Sequence, residues 1–169
     1  MIRTAAVAVA LVALLALSPG AAPAATAYAD SITGAEYFFT STEGRFAGKA
    51  YGDLPGYWNT VVDHTPLSLS STPTATITGG GFELATALNG FPTLITGDVS
   101  GGTINVKDPG NDCTNQTFDV DGTLTHVGIL YTGTGTGTFS VVLTHHRARV
   151  FGSCVIYAAT VTGSLSLSF

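Results

Sequence analysis

Charge is scarce in this chain. Of 169 residues only 6 are Lys or Arg and 11 are Asp or Glu, and no basic run occurs. A formal charge of -5 without a basic patch excludes the electrostatic footprint of a nucleic-acid binder or of a protein held on an anionic membrane. Convincing helical periodicity is missing as well, because Gly or Pro interrupts almost every window long enough to hold a helix. There is no G-x-S-x-G elbow and no D-x-D-x-D-G loop, so a hydrolase nucleophile on a sharp turn and an EF-hand calcium site are both excluded. Only one long apolar run exists, and it lies at the N-terminus.

That run, Ala5–Leu17, follows MIRT and turns at SPG into the small-residue segment AAPAATAYA. These are the three parts of a secretory signal peptide, and the apolar core is shorter than the ~20 residues of a spanning helix. The protein is therefore expected to be secreted, with no membrane span after the leader. Ala25-Thr26-Ala27 is the best A-x-A cleavage site, with Ala22-Pro23-Ala24 and Ala27-Tyr28-Ala29 as alternatives. Residues 1–27 are read as the leader, 28–43 as an N-terminal arm, loose over Tyr28–Gly34, and 44–169 as a single all-β domain. Cleavage after Ala27 removes Arg3 and no acid, which takes the formal charge from -5 to -6.

Export places Cys113 and Cys154, the only cysteines, in an oxidising compartment, where one disulfide is expected. Zinc would need two further ligands at suitable spacing, and none lie near. No metal site and no cofactor are expected.

What the chain has in abundance is alternation. In GSLSLSF, Leu165, Leu167 and Phe169 face one way and Ser164, Ser166 and Ser168 the other, the pattern of a half-buried antiparallel strand. Similar runs occur at Gly44–Tyr51, Tyr57–His64, Pro73–Thr78, Gly81–Ala87, Thr93–Val99, Thr103–Val106, Gln116–His126, Gly137–Arg147 and Ser153–Val161. DLPG, GGG, NG, SGG and KDPGND between them carry turn chemistry, and Thr162-Gly163 reads as a bend or bulge. The spacing predicts an all-β antiparallel domain, a closed or partly closed β-barrel of about eight to ten short strands. A β-sandwich is the alternative.

The Ala-rich leader, ITGGGFEL, CTNQTFDVDGTL, LTHHR and YAATVTGSLSLSF together resemble small exported β-proteins of high-GC Gram-positive bacteria. That resemblance implies export and supplies no activity. Gly56-Tyr57-Trp58 is similar to the G-x-W signature of lipocalins, barrels that bind small apolar ligands, although a strand already precedes it and the later motifs of that family are absent. The resemblance implies that Trp58 closes one barrel end beneath a basic residue, Arg147 or Arg149. The terminal Phe169 on an alternating strand also resembles the last strand of outer-membrane barrels, but the other segments are too rich in Gly and Ser for a lipid-facing band.

Few residues can carry chemistry. His145 and His146 point to opposite faces of one strand and cannot share a metal ion. Asp108 and Asp112 in KDPGND are read as turn formers rather than calcium ligands. The face Phe139, Val141, Leu143, His145, Arg147 runs from apolar to polar. On a barrel interior it describes a cavity with an apolar floor and a cationic mouth for a small apolar or anionic ligand; on a sandwich it is a strand emerging into solvent. Trp58, His145 and Arg147 are the candidate ligand-binding residues, and no catalytic residue is assigned. The expectation is an exported non-catalytic barrel that binds a small ligand or a cell-surface partner. The alternative is a small-barrel isomerase or cyclase with a histidine acid or base, which requires a carboxylate or Tyr within reach of that histidine in a cleft.

Overall fold

The alternating runs become eight strands, β1 Ala27–Phe39, β2 Glu43–Gly52, β3 Gly56–His64, β4 Thr74–Leu88, β5 Phe91–Asp108, β6 Gln116–Ile129, β7 Gly135–Val150 and β8 Ser153–Ser168. The computed structural model describes residues 24–69 and 73–169; the expected leader lies, up to residue 23, outside the described residues. Each strand pairs antiparallel with the next, and β1 pairs with β8 to close a barrel. Closure removes every sheet edge, so both backbone faces of each strand find partners within the ladder.

Two expectations need correction. Residues 28–43 are not an arm: β1 is hydrogen-bonded to β2 on one side and β8 on the other, and buries Asp30 and Ile32. The domain therefore does not start at residue 44. The strands are also long rather than short, because the GGG and SGG segments expected as turns lie inside β4 and β5. Gly80 and Gly102, with φ of 134° and 142°, bend those strands without ending them.

An up-and-down barrel has two ends, and here they differ. The Asp53–Pro55 turn folds Leu54 into one end, leaving it 1% exposed, and its N–H donates to Asp30 Oδ1 at 2.9 Å. Asp30 Oδ2 is buried with no hydrogen-bond partner among the described residues. Desolvation raises the Asp30 pKa above the ordinary carboxylate value, the Leu54 N–H opposes the rise and the charge of Asp53 adds to it. Tyr28 stacks on Phe169 at 5.0 Å where the first and last strands meet. Above this plug lies a packed core that includes Leu84, Ile95, Leu124, Leu165 and Leu167.

The other end carries the β1–β2, β3–β4, β5–β6 and β7–β8 connections. Cys113, in a short 3-10 turn between β5 and β6, comes within disulfide distance of Cys154 at the start of β8, with Cα atoms 5.6 Å apart. In the chain-entropy model, a bond across this separation of 41 residues stabilises the fold by about 4 kcal/mol. It also ties two rim segments of this end together.

Candidate functional site

The open end holds a cavity of about 240 Å³. Its walls are apolar where β2, β5, β6 and β7 contribute Phe46, Ile104, Phe118 and Leu143, and Leu67 reaches in from the β3–β4 connection. Below it, between Trp58, Phe82 and Phe139, only about 30 Å³ of open space remains. The barrel is thus packed through its middle and hollow at one mouth.

Two polar side chains meet inside that mouth. His145 Nε2 and Glu36 Oε2 stand 2.6 Å apart, with side chains only 10% and 4% exposed. Register explains the meeting. His145 on β7 is level with Ala159 on β8, and the β8–β1 pairing of Thr160 with Ala35 puts Glu36 beside Ala159. The small Ala159 between them lets both longer side chains reach over it. Phe118 packs edge-on against the imidazole at 5.1 Å and Phe39 tilts over it at 5.3 Å.

With Glu36 ionised, His145 donates through Nε2 and the carboxylate fixes the tautomer and ring orientation. Nδ1 makes no hydrogen bond among the described residues and is the ring atom left for a ligand. Gln116, level with His145 on β6, is buried, and its Nε2 donates to Pro109 O at 3.0 Å. The cavity therefore has a largely apolar wall and one rigid polar pair. Removing His145 would leave the buried Glu36 carboxylate uncompensated, at a cost of about 3–5 kcal/mol.

The three expected ligand-binding residues are not brought together. His145 is at the mouth. Trp58 faces inward but lies deeper, its Nε1 donating to Lys49 O at 3.2 Å and its ring occupying space that a side chain at Gly34 would fill. Arg147 is turned to the β5–β6 connection, where Nη1 donates to Gly110 O at 2.9 Å and the backbone N–H donates to Asn115 Oδ1. Among the described residues no Lys or Arg side chain stacks on Trp58 or lines the mouth, and a carboxylate stands where a guanidinium was expected. Glu36 carries no signal in the sequence, where it is one of several carboxylates scattered over separate elements.

The remaining histidines divide between inside and outside. His64 also lines the mouth, its Nδ1 2.8 Å from Thr65 O. His146 faces outward, with Nε2 3.0 Å from Thr160 Oγ1, and so does not combine with its neighbour. Among the described residues, no three His, Cys, Asp or Glu side chains converge as a metal site. In KDPGND the Asp108 carboxylate accepts from Gly110 N–H at 2.8 Å, the role of a turn former.

No family model, no curated protein and no solved structure matches the chain. The G-x-W likeness accordingly rests on its three residues alone.

Proposed function

We propose that the protein is an exported barrel that binds a small, mostly apolar, uncharged molecule in its open mouth, with a hydroxyl of the ligand donating to His145 Nδ1. The observation that carries this reading is the buried Glu36–His145 pair inside an otherwise apolar cavity. Such pockets place a few polar groups to orient a ligand and let apolar surface supply affinity. At about 240 Å³ the cavity lies below the range for drug-sized ligands, which favours a molecule of one or two rings or a short chain. Glu36 offsets any charge on His145, so an anion gains nothing here and meets a carboxylate.

Mass spectrometry of the exported protein under native conditions tests the reading. The expected result is a co-purified neutral molecule that leaves when Leu67→Trp fills the mouth. An empty protein that also takes up no neutral apolar compound would overturn it.

Export in this reading rests on the leader. Thr26 exchanges backbone hydrogen bonds with Phe169, at 3.0 and 3.2 Å, so cleavage after Ala24 would keep the ladder whole while cleavage after Ala27 would cut into it. Sequencing the mature N-terminus should accordingly find Ala25.

The same pair supports a second reading, an isomerase or cyclase in which Glu36 holds the imidazole while Nδ1 takes and returns a proton. In heavy water the co-purified molecule would then acquire deuterium at carbon with the wild-type protein and not with His145→Gln. A ligand that stays unlabelled with both would leave binding as the function.

A further inference from the structure

A second candidate site lies on the outer wall, built by backbone that the sequence has every local reason to avoid. Three hairpins of this barrel have two central turn residues at positive φ, the arrangement that favours Asn-Gly. Asn89-Gly90 follows the rule. The β6–β7 turn instead places Leu130 and Tyr131 there, at φ of 50° and 64°, and His126 a few residues earlier has φ of 52° in a β6 bulge. Non-glycine residues in such conformations cost about 1–3 kcal/mol each and persist where surrounding structure holds them.

The result is a shaped trough. Tyr131 lies back on the barrel wall, its N–H donating to Thr96 Oγ1 at 2.9 Å and its hydroxyl to Glu83 Oε1 at 3.0 Å. His126 Nδ1 stands 2.8 Å from Asp98 Oδ2. Between the two pairs runs an open groove of about 430 Å³ whose floor is cleared by Gly81 and Gly97. On its far side Asn59 accepts from the Tyr37 hydroxyl at 3.2 Å, which leaves the amide nitrogen as a donor.

From this geometry we infer that the groove binds an uncharged, polyhydroxylated chain, an oligosaccharide. Both carboxylates already accept one bond from a neighbouring side chain, which fixes the direction of the lone pairs that remain. Carboxylates held in this way accept strong hydrogen bonds from hydroxyls, and Asn59 adds a donor. The exposed rings of Tyr131 and Tyr37 give sugar faces a flat apolar surface ending in a polar atom. Phosphorylated or uronate chains would meet two carboxylates. The inference is independent of the mouth cavity, which opens inside the barrel.

Gly81 provides the test, because a Cβ added there meets nothing within 4 Å and its φ is not in the strained range. Gly81→Leu therefore fills the groove without disturbing the fold. Calorimetric titration with cello-, manno- and chito-oligosaccharides should give saturable binding of at least one series. Gly81→Leu and Glu83→Ala should each weaken it by about tenfold or more, with the melting temperature of Gly81→Leu unchanged. Leu67→Trp, which blocks only the mouth, should bind the sugar as the wild type does. Absence of binding to all three series, wild-type affinity in Gly81→Leu, or preferential occupation of the groove by an oligolysine peptide would each overturn the assignment.

Discussion

At one end of the barrel Leu54 drops into the lumen and is almost completely buried; at the other, Phe39 and Leu69 stay partly in solvent around a cavity. Both ends also contain a buried carboxylate, and the contrast between those two acids is instructive. Asp30 meets the Leu54 N–H with one oxygen and, among the described residues, no hydrogen-bond partner with the other, and burial raises its pKa. Glu36 meets an imidazole at 2.6 Å. The first acid latches a plug, and the second builds a polar anchor within an apolar pocket. One end thus spends its buried polarity on closure and the other on a site.

Removing an anchor should do more damage than removing a plug. His145→Ala leaves the Glu36 carboxylate buried without its partner and is expected to cost about 3–5 kcal/mol in denaturant unfolding. The double change Glu36→Leu with His145→Phe should recover most of that loss while ligand uptake stays absent. Recovery without lost uptake would break the contrast. Leu54→Ala at the plugged end should cost about 3 kcal/mol, within the range for truncating a buried Leu, and should leave uptake at the mouth intact.

Asp30 gives a smaller effect with a definite sign. Its folded pKa lies above the unfolded value, so between the two the folded chain binds more protons than the unfolded one. Stability contributed by this group is therefore highest at low pH and falls as pH rises through that window. Asp30→Asn keeps the acceptor for Leu54 and cannot ionise; the contribution of this group to the slope should vanish, and stability at neutral pH should be no lower than in the wild type. Unfolding curves across the acid range check this.

The smallest effect concerns two turns at opposite ends. Asn89-Gly90 and Phe151-Gly152 have almost the same φ values, 51° and 82° against 50° and 84°. Phe151 is 105% exposed, so its ring contributes no packing in exchange for the strained backbone. Phe151→Asn should stabilise the protein by about 1 kcal/mol, read as a raised melting temperature.

Much of the sheet was legible in the sequence, and the exceptions have a common cause. β7 up to His145 and β8 from Ala159 onward alternate cleanly, with Leu143, Val161, Leu165 and Leu167 inward. β1 hides its alternation because its inward positions include Asp30, Gly34 and Glu36, two acids and a residue without a side chain. Those acids are the buried carboxylates of the two ends, so the strand least visible in the sequence is the one that distinguishes them. His145 stood out as a polar residue continuing an apolar face. Its partner lies 109 residues away and is brought near only by barrel closure, which no local pattern encodes. Arg147 continues the same alternation on paper, but the β5–β6 connection folds against it and Gly110 O takes the guanidinium.

The most direct test of the account is a fluorescence titration with 2-naphthol, a neutral bicyclic alcohol, beside its carboxylate analogue 2-naphthoate. Saturable one-to-one binding of naphthol is expected, at least about tenfold tighter than naphthoate and abolished by Leu67→Trp but not by Leu54→Ala. Equal or tighter binding of the anion, or naphthol binding that survives the blocked mouth, would contradict a neutral ligand site built on Glu36 and His145.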